Sequence, residues 1–265
     1  MNILKKTKEV LISNIKKSRL LYRFFVWLVY DRKNQQKFGL TYNPLDITNK
    51  YYQKIKKTKD RELEHQIGRL VNFKEIISNC NLLPGSFIEF GTWKGFSLLW
   101  IAYFMDRNAI FNKKLIGLDG FVGLPYSDGV FNKFAFSDTS LKKCRKNILG
   151  SSILSEKIKK NIYIDKFLYN QKAEITSYLK NKGVKKFCFI HIDCDVSQSA
   201  KEIFDILIKG NLIGDKCYIL FDDYGCESKL KFTINKIFKR LKSTWKIKTH
   251  SQTNLTKNFY FERRG

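Results

Sequence analysis

At 265 residues, with 43% hydrophobic side chains, 22 phenylalanines and only 3 prolines, the chain can bury a large core and is neither disordered nor fibrous. Its 50 basic and 24 acidic residues leave a net charge of +26, which points to anionic company: nucleic acid, an acidic membrane face, or a phosphorylated or nucleotide-linked substrate. The lysines are spread along the chain rather than clustered, so the surplus also reads as surface composition, and no RNA-binding motif or basic-aromatic stripe accompanies it.

Six cysteines (Cys80, Cys144, Cys188, Cys194, Cys217 and Cys226) form no C-x-x-C pair, and three of them lie in or beside apolar runs. Free, buried thiols in a reducing compartment are expected. The longest apolar run, Phe24 to Tyr30, falls far short of the roughly 20 residues that span a bilayer. The N-terminus lacks the apolar core of a secretory signal, so a cytoplasmic location is expected.

Residues 1–59 read as an N-terminal helical extension. Ile3, Leu4, Val10, Leu11, Ile15 and Leu20 recur at near-helical spacing, and Leu20–Tyr30 is apolar nearly all round. Packing on the main domain or on a second copy in a homo-oligomer is expected. Peripheral contact with an anionic membrane is the alternative. Residues 60–265 read as one large α/β domain. A helix over Asp60–Asn79, capped by Asp60, precedes a turn at Pro84-Gly85.

Strands and helices then alternate. The strands are Ser86–Phe90, Lys114–Leu118, Asn161–Ile164, Lys186–Ile192 and Cys217–Phe221. The helices between and after them are Ser97–Met105, Leu141–Lys159 (broken at Gly150), Ala173–Lys180, Ser199–Lys209 with Gly210 as its stop, and Leu230–Leu241. Two alternating strands, Lys246–His250 and Asn258–Glu262, close the chain as an antiparallel hairpin. The pattern predicts an α/β fold with a mostly parallel seven-stranded sheet.

In such sheets ligands bind beyond the carboxyl ends of the strands. Six acids fall there: Glu89, Asp119, Asp193, Asp195, Asp222 and Asp223. The turn Gly91-Thr92-Trp93-Lys94-Gly95 lets the backbone approach a ligand, and the following helix start offers free N–H groups. Asp119 is spaced like the acid that binds a ribose hydroxyl pair. Asp193, Asp222 and Asp223 are placed to converge on one divalent cation, with Mg²⁺ favoured and Mn²⁺ or Ca²⁺ as alternatives. The long segment Val122–Thr139, rich in aromatic residues, reads as a lid.

Four stretches in order, Phe87-Ile88-Glu89-Phe90-Gly91-Thr92-Trp93-Lys94-Gly95, Leu118-Asp119-Gly120-Phe121-Val122-Gly123-Leu124-Pro125, His191-Ile192-Asp193-Cys194-Asp195 and Phe221-Asp222-Asp223-Tyr224, resemble the successive motifs of the macrocin/mycinamicin sugar O-methyltransferase family. The resemblance covers about residues 60–240 and implies a Rossmann-like, class I S-adenosylmethionine-dependent enzyme that uses Mg²⁺ or Mn²⁺. It implies that Glu89, Gly91, Thr92, Trp93 and Ser97 surround the methionine half of the cofactor. Asp119 with Gly120 would take the ribose, and Phe121 would lie near the adenine. The segment His65-Gln66-Ile67-Gly68-Arg69-Leu70 resembles the family's helix before the first strand, so His65, Ile67 and Gly68 would line the cofactor pocket. The sequence departs from the family pattern at Phe96, Cys194 and Ser197.

The resulting expectation is methyl transfer to a hydroxyl of a sugar, a nucleotide-linked sugar or another small anionic metabolite, without specific nucleic-acid binding. Asp193 or Asp195 is the expected base, with His191 as the alternative. His191 sits inside an apolar strand, where a histidine is more often part of the core. The competing readings are a catechol-type O-methyltransferase, which shares the strand-end acids, and an RNA methyltransferase suggested by the charge.

Overall fold

The structure is a computed structural model that describes residues 61–265 apart from 130, 227 and 254. The extension expected over residues 1–59, and Asp60 as a helix cap, lie outside the described residues. Seven strands form one sheet in the order β3-β2-β1-β4-β5-β7-β6. They are β1 (Ser86–Phe90), β2 (Leu115–Asp119), β3 (Ile162–Lys166), β4 (Phe187–Ile192), β5 (Ile213–Phe221), β6 (Trp245–Gln252) and β7 (Lys257–Arg263). The first five are parallel, and β7 and β6 run antiparallel as a closing hairpin.

The described helices are α1 (Arg61–Asn79), α2 (Phe96–Arg107), α3 (Leu141–Leu149), α4 (Glu156–Lys159), α5 (Lys172–Asn181), α6 (Ser197–Lys209) and α7 (Ser228–Leu241). The period of two along the strands decides which helix covers which face. Ile88 and Phe90 of β1, with Ile190 and Ile192 of β4, join the core shared with α5, α6 and α7. The alternate residues point the other way: Phe73 of α1 packs edge-on against both Phe189 and His191. Every residue of β4 is buried, as its continuous apolar run demands. Fully burying a phenylalanine such as Phe73, Phe87 or Phe189 stabilises the fold by about 1.5–3 kcal/mol.

Most boundaries fall within one or two residues of the sequence reading, and two of the shifts have a clear physical reason. β5 begins at Ile213 rather than Cys217, because a register shift opposite Phe187–Phe189 carries exposed Asp215 and Lys216 along the strand. α6 begins two residues early, at Ser197, whose N–H donates to the Asp128 carboxylate at 2.8 Å. Gly210 ends α6 with φ −77°, and the left-handed residue is Asn211 at φ 49°. All six cysteines are free; five are buried and Cys226 is half-buried. Among the described residues no helix is long and apolar enough to cross a membrane.

Candidate active site

The strand order reverses between β1 and β4, and both strands end on the same rim. The glycine turn leaves β1 at this point. Gly91 N–H donates to Leu118 O at 2.9 Å, while Asp193 N–H donates to Phe90 O at 2.9 Å. Gly91 has φ +92°, and a methyl group there would lie 1.7 Å from the Asp193 carbonyl oxygen. Only glycine lets the two strand ends come this close.

Asp119, the last residue of β2, braces the turn. Its Oδ2 accepts the Trp93 N–H at 2.8 Å and its Oδ1 accepts the Phe121 N–H at 2.6 Å. Burial pushes its carboxyl up, and these backbone donors offset part of that rise. Each oxygen keeps a lone pair for a hydroxyl donor. Trp93, Phe121 and Asp195 all sit in the left-handed region, at φ 41°, 51° and 56°. Three non-glycine residues on this rim are thus held in a conformation that costs about 1–3 kcal/mol each; Ala109, Phe134, Phe136 and Asn211 share it elsewhere.

The other acids divide into two sets. Asp222, 3% exposed, faces Arg69 and two imidazoles. Its Oδ2 lies 3.0 Å from Arg69 Nη1 and 3.1 Å from His65 Nε2, and its Oδ1 lies 3.9 Å from His191 Nε2. Burial alone would raise its carboxyl, but Arg69, His191 and His65 outweigh burial and hold it well below the usual carboxylate range. Asp193, Asp195 and Asp223, each partly exposed, bring carboxylate oxygens within 4.8 Å of one another. Burial and the neighbouring acids push Asp193 and Asp223 well above the usual range and Asp195 up to about 8. A second grouping, His65, Asp222 and Asp223, meets the same distance limit.

Glu89 and His191 lie beneath the rim and are fully buried. His191 Nδ1 is 2.7 Å from Glu89 Oε1. Burial would lower the imidazole pKa, but Asp222 and Glu89 raise it to about 9. His191 is therefore tied to buried Glu89 beneath the rim, while its Nε2 and the Asp222 Oδ1, 3.9 Å apart, have no hydrogen-bond partner among the described residues. Ile67 and Gly68 of α1 are buried beside His65, and Thr92 and Ser97 are buried at the turn and the start of α2. The Thr92 Oγ1 has no hydrogen-bond partner among the described residues. Gly120, half-buried, links Asp119 to Phe121.

The described residues of segment 122–139 are tied to one another, to the Trp93 turn and to α6. Leu124 N–H donates to Ala135 O, Tyr126 Oη donates to Glu202 Oε1 at 2.7 Å, and Trp93 Nε1 donates to Asp138 Oδ1 at 2.9 Å. Asp128, buried, takes the N–H of Ser197 and pairs with Lys229 Nζ at 3.1 Å. Phe136 packs edge-on against Trp93, and Phe134 is 62% exposed.

Sequence reasoning gave no role to Arg69, Asp128 or Asp138. For Arg69 the signal was present: His65, Gln66 and Arg69 share one face of α1 at helical spacing. Asp128 and Asp138 act on residues far along the chain, and no local pattern marks them.

The macrocin-O-methyltransferase (TylF) family profile matches residues 47–252. The chain belongs to this family. It is an S-adenosylmethionine-dependent O-methyltransferase. Among solved structures, the O-methyltransferase NovP is similar at 16% identity and a TM-score of 0.58, over 75% of this chain and 81% of that one. The calicheamicin methyltransferase CalS11 is similar at 15% identity and a TM-score of 0.57, over 92% of this chain and 91% of that one. An apo structure of CalS11, described as a TDP-rhamnose 3'-O-methyltransferase, gives 15% identity and a TM-score of 0.51, over 92% of each chain. These likenesses show the fold. No curated protein matches the chain in sequence.

The rim of this family member suits both groups that the fold implies. The donor set at Asp193, Asp195 and Asp223 is all carboxylate oxygen, which suits a hard divalent cation. Three such groups this close repel one another unless a cation sits among them. Asp119 with its spare lone pairs, the unpartnered Thr92 hydroxyl and the glycine turn suit a nucleoside-bearing cofactor.

Proposed function

We propose that the protein methylates a hydroxyl of a sugar or a nucleotide-linked sugar, assisted by Mg²⁺ or Mn²⁺ on the rim carboxylates. One observation carries this reading: the braced glycine turn and the mutually repelling acids Asp193, Asp195 and Asp223 meet on one rim under one lid. The family match supports a sugar acceptor, and the description of CalS11 as a TDP-rhamnose 3'-O-methyltransferase supports a nucleotide-linked one. The net charge of +26 is compatible with an anionic acceptor without selecting one.

In this reading Asp119, Gly120 and Phe121 hold the adenosine half of the cofactor. Gly91, Thr92, Trp93 and Ser97, with His65, Ile67 and Gly68 behind them, shape the methionine half. Glu89 acts at one remove, through His191. When bound, S-adenosylmethionine supplies a methyl group that is already activated. The chain must therefore orient an acceptor oxygen in line, exclude water and take up a proton. Asp193 or Asp195 takes that proton at a carboxylate oxygen. A cation on the rim would add positive charge beside the acceptor oxygens. Segment 122–139 closes the site to water.

The test is methyl transfer from labelled S-adenosylmethionine to a panel of nucleotide-linked sugars, free sugars, a catechol and bulk RNA, read by mass spectrometry. The label is expected on a sugar hydroxyl. Label on the catechol or the RNA, with every sugar unmodified, would overturn the reading.

A further inference from the structure

The surface of α7 carries charge of one sign only. Its basic residues are Lys229, Lys231, Lys236, Lys239 and Arg240, Lys242 follows just beyond its end, and it contains no acid. Lys229 pairs with Asp128, and Lys231 lies 5.9 Å from the centre of the Tyr224 ring. Lys236, Lys239, Arg240 and Lys242 are exposed and form no ion pair among the described residues. In α6, packed against α7, Asp205 is paired with Lys172, so one-signed charge is not the rule for the helices of this chain.

An apolar side chain stands among these cations. Phe232 is 69% exposed and forgoes the burial that the core phenylalanines gain. Positions 232, 235, 239 and 242 recur at helical spacing and share one stripe. Lys239 and Lys242 of that stripe line a cavity of about 420 Å³, together with Phe238, Ile247 and Phe259. The Phe238 and Phe259 rings are buried and meet edge-on at 4.8 Å, while the two lysines are exposed. The cavity thus has an apolar floor and a cationic edge. It lies between α7 and the β6–β7 hairpin, and none of the rim acids lines it.

We propose that this face of α7 docks on an anionic membrane surface, with Lys236, Lys239, Arg240 and Lys242 against the lipid headgroups and Phe232 at the boundary of the acyl chains. Charge complementarity argues for it, and an aromatic residue flanked by unpaired cations is the pattern of a helix that lies in a lipid interface. The cavity decides between a lipid surface and a nucleic acid. Part of an acyl chain can fill an apolar floor, whereas a phosphodiester backbone has nothing to place there. The docking face belongs to the α/β domain, so it is separate from the membrane contact considered for residues 1–59. It depends neither on the acceptor nor on the metal proposed above.

The test is sedimentation of the full chain with vesicles of phosphatidylcholine alone and of phosphatidylcholine with phosphatidylserine. Binding is expected only to the second kind and should fade as salt rises. The variant Lys236→Gln/Lys239→Gln/Arg240→Gln should bind about 100-fold more weakly, about fivefold for each cation removed from the surface. Its melting curve and its affinity for S-adenosylhomocysteine should match those of wild type. Phe232→Trp supplies a second readout that residues 1–59 cannot imitate. Its emission, taken as the difference from wild type, should be quenched by lipids brominated on their acyl chains. Wild type that ignores the anionic vesicles would overturn the inference, as would undiminished binding in the triple variant or an unquenched Phe232→Trp. Tighter binding of wild type to bulk RNA than to the anionic vesicles would overturn it in favour of a nucleic-acid surface.

Discussion

The Asp193 carbonyl oxygen occupies the space where a side chain on residue 91 would begin. Gly91→Ala cannot be absorbed by a rotamer change, since the clash is with backbone and the φ of +92° is itself unfavourable for alanine. It should cost on the order of 3 kcal/mol and abolish S-adenosylhomocysteine binding. A melting curve and a binding isotherm check both. An unchanged melting temperature would mean that β1 and β4 do not meet as described. At this scale the sequence was informative about residue types. A glycine after a strand and acids at strand ends are local patterns, and Gly91, Asp119 and the acidic rim are legible from them. The pairing of Arg69 with Asp222 was not, because it joins α1 to the end of β5 and exists only once the sheet has formed. For the same reason the acids could be placed on one rim, but the contacts of Asp193 and Asp222 with Arg69 and of Asp222 with His65 could not be read.

Elements were read well where their own side chains set them and poorly where a distant partner did. β1 and β4 follow from apolar runs that end at glycine or aspartate, and α3 starts where Ser140 accepts the Lys143 N–H. α6 starts early because Asp128, from the lid, caps it at Ser197. That cap makes the lid sensitive to pH. Burial alone would raise the Asp128 carboxyl, but the Ser197 hydrogen bonds and Lys229 hold it below its ordinary value. A lowered folded pKa adds stability that is fully present above the unfolded value and is lost as pH falls through the folded one. Amide exchange in Tyr126–Phe136, corrected for intrinsic rates, should therefore rise below about pH 4, the ordinary aspartate range. Asp128→Asn should raise it about fivefold at neutral pH, the worth of about 1 kcal/mol for one lost hydrogen bond. Equal exchange in variant and wild type would show that the cap does not hold the lid.

For the whole molecule, alternation of strands and helices was enough to predict a mostly parallel seven-stranded sheet with an antiparallel end. The order β3-β2-β1-β4-β5-β7-β6 places the switch point, and so the site, at the glycine turn. The surplus charge did not discriminate: +26 fits an anionic small molecule, a membrane face or nucleic acid equally well. Function follows from the rim rather than from the charge. The glycine turn and the clustered carboxylates stand side by side, so under the proposed function methyl transfer and cation should depend on each other. The most direct test is the rate of methyl transfer to a nucleotide-linked sugar before and after exhaustive chelation, followed by return of Mg²⁺. The rate should fall by at least about 100-fold on chelation, as it does when charge stabilisation at the reacting oxygen is removed, and recover when the ion is restored. An unchanged rate in chelator would contradict the account.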